Sequence, residues 1–105
     1  MSEESNALII VVGGDGRRGL AVPDARVRHF QGASYGGNGA TRSAVTAIRN
    51  GAVDLVLLLA RWLGHSECEA LLDACRAAGV SWHLVSGGLS AARRDALAFM
   101  VTWGG

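Results

Sequence analysis

Ala7-Leu-Ile-Ile-Val-Val12, closed by Gly13-Gly14, is the stretch that decides the fold. It is a continuous apolar run with no polar residue at alternate positions. A strand with one wet face alternates; a strand covered on both faces does not. The run therefore reads as a central parallel strand, with the glycine pair turning the chain at its carboxyl end. Asp54-Leu-Val-Leu-Leu-Leu-Ala60 repeats the pattern and gives a second buried strand.

Two weaker strands flank these. Ala25 to Phe30 alternates apolar and polar residues, as a strand near an edge does. Ser81-Trp-His-Leu-Val85 is the fourth strand and ends in Ser86-Gly87-Gly88. Between them lie segments of helical period. Thr41 to Asn50 has Ala44, Val45 and Ile48 on one face, Asn38 as candidate N-cap and Gly51 at the C′ position. His65 to Ala78 aligns Cys68, Leu71, Leu72, Cys75 and Ala78, and Gly79 stops it. The last helix, Ser90 to Trp103, aligns Ala92, Ala96, Leu97, Met100 and Trp103. Asp15 to Asp24, with the only proline, and the glycine-rich 32–39 stretch read as loops, and Arg61 to Gly64 as a turn.

The order β-loop-β-α-β-α-β-α predicts an α/β domain with a four-stranded parallel sheet and right-handed crossovers. The expected strand order is 2-1-3-4, the flavodoxin-like winding without its last strand. The first crossover helix is missing or shortened. The helices after the second and third strands should share one face, leaving the C-terminal helix alone on the other. From that thin face a homodimer is expected, with a second copy supplying the cover.

At 105 residues the chain suits a single domain spanning 1–105, with the acidic, polar 1–6 segment expected to be disordered. It is 50% hydrophobic and 18% charged, too apolar for a disordered chain. A net charge of +1 provides no global field for nucleic acid or an anionic membrane. No signal peptide is visible, and no apolar run approaches the ~20 residues of a membrane span, so a cytoplasmic location is expected. All ten basic residues are arginine. Codon bias explains that, and so does anion recognition, to which the bidentate guanidinium is suited. Cys68 and Cys75 are seven residues apart on one helix. That separates them by about 10 Å, too far for a disulfide.

In open parallel sheets ligands bind outside the carboxyl ends of the strands. Here that rim carries Gly13, Gly14 and Arg17, then Arg42, then His65 and Ser66, then Ser86 and Gly87. Several of these positions open helices, where free N–H groups favour anions. The expected function is a ligand-binding or sensory module for a small anionic or nucleotide-like molecule. His65 is the expected centre, because it follows a buried strand and opens a helix. Glycines that merely make tight turns and arginines that solvate the rim would look the same. No G-x-G-x-x-G follows the first strand, and no P-loop pattern occurs.

A second reading is a metal- or haem-binding site, with His65, Cys68 and Cys75 on one helical stripe and His29 approaching from the second strand. Against it, both cysteines fall on the apolar face with Leu71 and Leu72, where free Cys behaves as a buried hydrophobe. A third reading is a structural dimer or assembly subunit. An enzyme has the least support, since no nucleophile or acid–base pair can be named with its partner. Trp62 could stack on a planar ligand, whereas Trp82, Trp103 and His83 read as structural.

Six motifs in order carry a resemblance: Gly13-Gly14, His29-Phe-Gln-Gly32, Val53-Asp54-Leu-Val56, Gly64-His65-Ser66, Cys75-Arg76 and Ser86-Gly-Gly-Leu-Ser90. Together they resemble the bacterial domain-of-unknown-function family numbered twenty-three twenty-five, over about Leu8 to Leu97. The resemblance implies a small Rossmann-like three-layer domain and a signature centred on His65 and Cys75. It implies no settled activity. The chain departs from the pattern in its shortened first crossover and in Leu72, where a basic residue is expected.

Overall fold

The computed structural model describes residues 7–14, 20–31 and 40–103. Four strands form one all-parallel sheet: β1 (Ala7–Val12), β2 (Ala25–Phe30), β3 (Leu55–Leu59) and β4 (Ser81–Val85), in the order β2-β1-β3-β4. Three helices connect and close it: α1 (Ala40–Asn50), α2 (His65–Ala78) and α3 (Leu89–Thr102). The chain is thus a small Rossmann-like α/β domain with the expected winding. Among the described residues no helix lies between β1 and β2. The proposed N-cap Asn38, the 32–39 loop and the 1–6 segment fall outside the described residues.

The two apolar runs became the two central strands for the reason their sequences suggest. Ile10, Val12, Val56 and Leu58 face α1 and α2, where they meet Ala44, Ile48, Leu71, Ala74 and Cys75. Ile9, Val11, Leu55, Leu57 and Leu59 face the other way, against Ala92 and Ala96 of α3 and Val22 of the β1–β2 connection. These strand side chains are at most 1% exposed, so both faces are dry. Each fully buried Val, Leu or Ile contributes about 1.5–3 kcal/mol relative to exposure. A one-residue slip of either strand would merely exchange two apolar sets, so register rests on the ladder and on the glycine-bounded ends.

The helix pairing follows the expected division: α1 and α2 pack together on one face, and α3 lies on the other. The thin face is nonetheless covered from within the chain. The Leu20–Val22 segment lies where a first crossover helix would, Val22 is 6% exposed, and Arg93 Nε of α3 donates to Ala21 O at 3.4 Å. A second copy is therefore not needed to bury β1 and β3.

Helix ends obey local chemistry. Gly79 closes α2 at φ 71°, with its N–H reaching the Arg76 and Cys75 carbonyls, as a left-handed C-cap requires. Asp54 precedes β3 and ties it to β1: Leu8 N–H donates to Asp54 Oδ2, and Asp54 N–H donates to Leu8 O, each at 2.9 Å. Beyond β3 the chain tightens into a 3₁₀ turn at Ala60–Trp62.

Candidate functional site

At the carboxyl end of the sheet, β1 runs into Gly13 (φ 113°) and Gly14 (φ 70°), conformations that residues with a Cβ seldom adopt. A Cβ on Gly13 would stand 3.0 Å from both Cβ and the carbonyl oxygen of Leu59. The first glycine is thus required by the close approach of the β1 and β3 ends. Its N–H donates to Phe30 O at 2.8 Å, and its carbonyl lies 2.6 Å from His29 Nε2. A carbonyl only accepts, so Nε2 carries the proton and Nδ1 of a neutral ring holds a lone pair.

His29 Nδ1 is buried without a partner, and no other side-chain nitrogen or oxygen among the described residues is in that position. Such groups cost free energy unless something satisfies them. His29 pairs in register with Val11, whose side chain belongs to the α3 face, so the imidazole lies on that face at the end of the edge strand.

Across the rim, the 3₁₀ turn carries Arg61 and Trp62. Trp62 packs against the α3-face core, and its ring edge comes within 3.5 Å of where a Cβ on Gly88 would stand. The Arg61 guanidinium sits 5.7 Å from the centroid of that ring. Ser86 is exposed, Gly87 is half-buried, and Gly88 begins α3 with no side-chain cap.

The start of α2 places His65, the expected centre, at the surface. His65 is 90% exposed and lies 3.4 Å from Glu69, one turn on along the same helix. Ser66 is also exposed. The group that occupies this helix end is Glu67. Its Oε1 accepts from Gly64 N–H at 2.8 Å, and its Oε2 accepts from Thr41 Oγ1 at 2.6 Å. The carboxylate caps its own helix and fastens the first turn of α1 to it. A fixed negative charge already sits where an anion would dock. The signal was present in the sequence, since an acid three residues after the N-cap is half of a capping box. Arg42 is exposed on the same first turn of α1. Arg17 lies outside the described residues.

The four residues of the metal or haem reading are not brought together. Cys75 is fully buried between α2 and the sheet, and Cys68 is half-buried on α2. His65 points into solvent, and His29 lies on the opposite face of the sheet from Cys75. Among the described residues no group of three or more His, Cys, Asp or Glu side chains is placed to hold a metal. Both thiols are free. Burial pushes the Cys75 thiol up to about 11, and burial together with the nearby Glu67 charge raises Cys68. Both shifts oppose formation of the thiolate that metals and electrophiles require.

No helix among the described residues is long and apolar enough to cross a membrane. No protein-family model, curated protein or solved structure matches the chain.

Proposed function

We propose that the protein is a binding module for a small anionic or nucleotide-like molecule, held at the carboxyl ends of β1 and β2 with His29 at its centre. The observation that carries this reading is the unpartnered, buried Nδ1 of His29 beside Gly13. With Nε2 committed to the Gly13 carbonyl, Nδ1 accepts a hydrogen bond from a ligand donor. On taking up a proton it becomes a charged donor to an anion. Along the same rim the Gly87–Gly88 turn is half-buried and carries no side chains of its own, and Trp62, also half-buried, offers an aromatic edge.

The test is a thermal-shift panel of nucleotides and phosphorylated metabolites at low salt. At least one compound should raise the melting temperature, by ~4–8 °C for each kcal/mol of binding at the midpoint. His29→Gln, which keeps a donor near the Gly13 carbonyl but removes Nδ1, should abolish that shift. His65→Ala should preserve it. No stabilisation by any anion, or a shift that survives His29→Gln, overturns the reading.

A further inference from the structure

Among the described residues no strand pairs beyond β2 or β4, and the two edges are guarded differently. Along β2, Arg26 and Arg28 are exposed, and the Arg28 guanidinium lies 5.1 Å from the Phe30 ring centroid. Charged side chains of this kind prevent one edge from pairing with another. A second copy set antiparallel on β2 would put arginines against arginines. Along β4 the sequence is Ser81-Trp-His-Leu-Val85, with no proline, no Asp or Glu and no Lys or Arg. Leu84 is 52% exposed there. Trp82, on the same face of the sheet, is only half-covered by the α1/α2 core.

We infer that the β4 edge joins two copies of this chain into one continuous sheet, paired antiparallel about a two-fold axis midway between the two copies of His83. The pleat selects this register. Outward-pointing backbone groups and side-chain faces both repeat every second residue. One residue must therefore face its own copy across the two-fold for polar groups to meet polar groups and like faces to align. Of the centres available, only His83 sets Trp82 against the copy's Leu84 and Leu84 against the copy's Trp82. Each exposed leucine thereby gains one aromatic cross-strand partner. The strand carries no formal charge to repel its copy. His83, 53% exposed, has Asp95 of its own α3 at 3.8 Å to balance any charge it gains. This interface lies on the edge of the sheet and leaves the strand-end rim open, so it stands independently of the ligand reading.

Sedimentation equilibrium or light scattering on the full chain, from about 1 to about 100 µM, is the direct test. The wild type should show twice the 10.9 kDa chain mass. Leu84→Arg should give the single-chain mass with an unchanged far-ultraviolet spectrum. Val101→Arg, at a position 84% exposed on α3, should remain dimeric. In a Cys68→Ser background, His83→Cys should form an intermolecular disulfide on mild oxidation. Facing residues of an antiparallel pair stand about 4.5–5.5 Å apart, within disulfide range. Ser81→Cys should not cross-link. A wild type of single-chain mass throughout, as an edge serving a different strand would give, overturns the inference. So does a Leu84→Arg dimer, or a dimer in which His83→Cys fails to cross-link.

Discussion

His65 and His29 both stand at the carboxyl end of the sheet, yet their surroundings are opposite. His65 opens α2 with a side chain 90% exposed and only Glu69 for company. His29, next to last in an edge strand, donates to a backbone carbonyl and keeps its second nitrogen buried without a partner among the described residues. The neighbouring backbone differs in the same sense. Gly64, beside His65, has ordinary extended geometry and only the tip of Glu67 within reach of an added Cβ. Gly13, beside His29, is left-handed and pressed onto Leu59. The difference teaches that a histidine opening a helix is not thereby enclosed. A carboxylate of the same first turn can take the helix end and leave the imidazole in water.

The largest effect should come from the glycines. Gly13→Ala forces a Cβ into contact with backbone at a strained φ, and should lower unfolding free energy by about 2–5 kcal/mol. Gly64→Ala should cost about 1 kcal/mol or less, since N-cap glycine contributes modestly. Denaturant melts of the two variants measure the gap, and equal losses would erase the distinction between the regions.

The histidines come next. His29→Ala deprives the Gly13 carbonyl of its donor and should cost about 1–3 kcal/mol. His65→Ala should stay within ~0.5 kcal/mol, as surface changes do. A His65→Ala loss as large as that of His29→Ala would break the comparison.

The smallest effect concerns the α2 thiols. Cys75 is neutral in the fold up to about 11, whereas an unfolded thiol ionises near 9.0. Its folded-state value is raised, so the stability it contributes is full below pH 9.0 and lost as pH climbs to about 11. Alkaline melts should show that decline, and Cys75→Ala should flatten it. Maleimide at neutral pH should label Cys68 slowly and Cys75 only on unfolding, with rapid Cys75 labelling contradicting its place in the core.

Much of the architecture was legible. The two unbroken apolar runs marked the central strands, alternation marked β2 as an edge, and Gly79 marked the end of α2. Element ends moved by a residue: α1 starts at Ala40, β3 spans Leu55–Leu59, and α3 starts at Leu89. The site was less legible. The local half of Glu67's role, its bond to Gly64, is legible in the sequence, but its bond to Thr41 spans 26 residues and is not. The shared chemistry of His29, Cys68 and Cys75 carries no sign that the sheet lies between His29 and Cys75. The cover of the thin face by Leu20–Val22 was also missed, because a short connection with glycine and proline carries no period to read.

What the sequence by itself determined is the layered fold, because burial on two faces and turning at glycine are local demands that residue types express directly. The tertiary structure alone decided which histidine is enclosed, which helix end is already filled and which sheet edge is unguarded. Those depend on distances between segments far apart in the chain, where an angstrom or two separates a hydrogen bond from solvent.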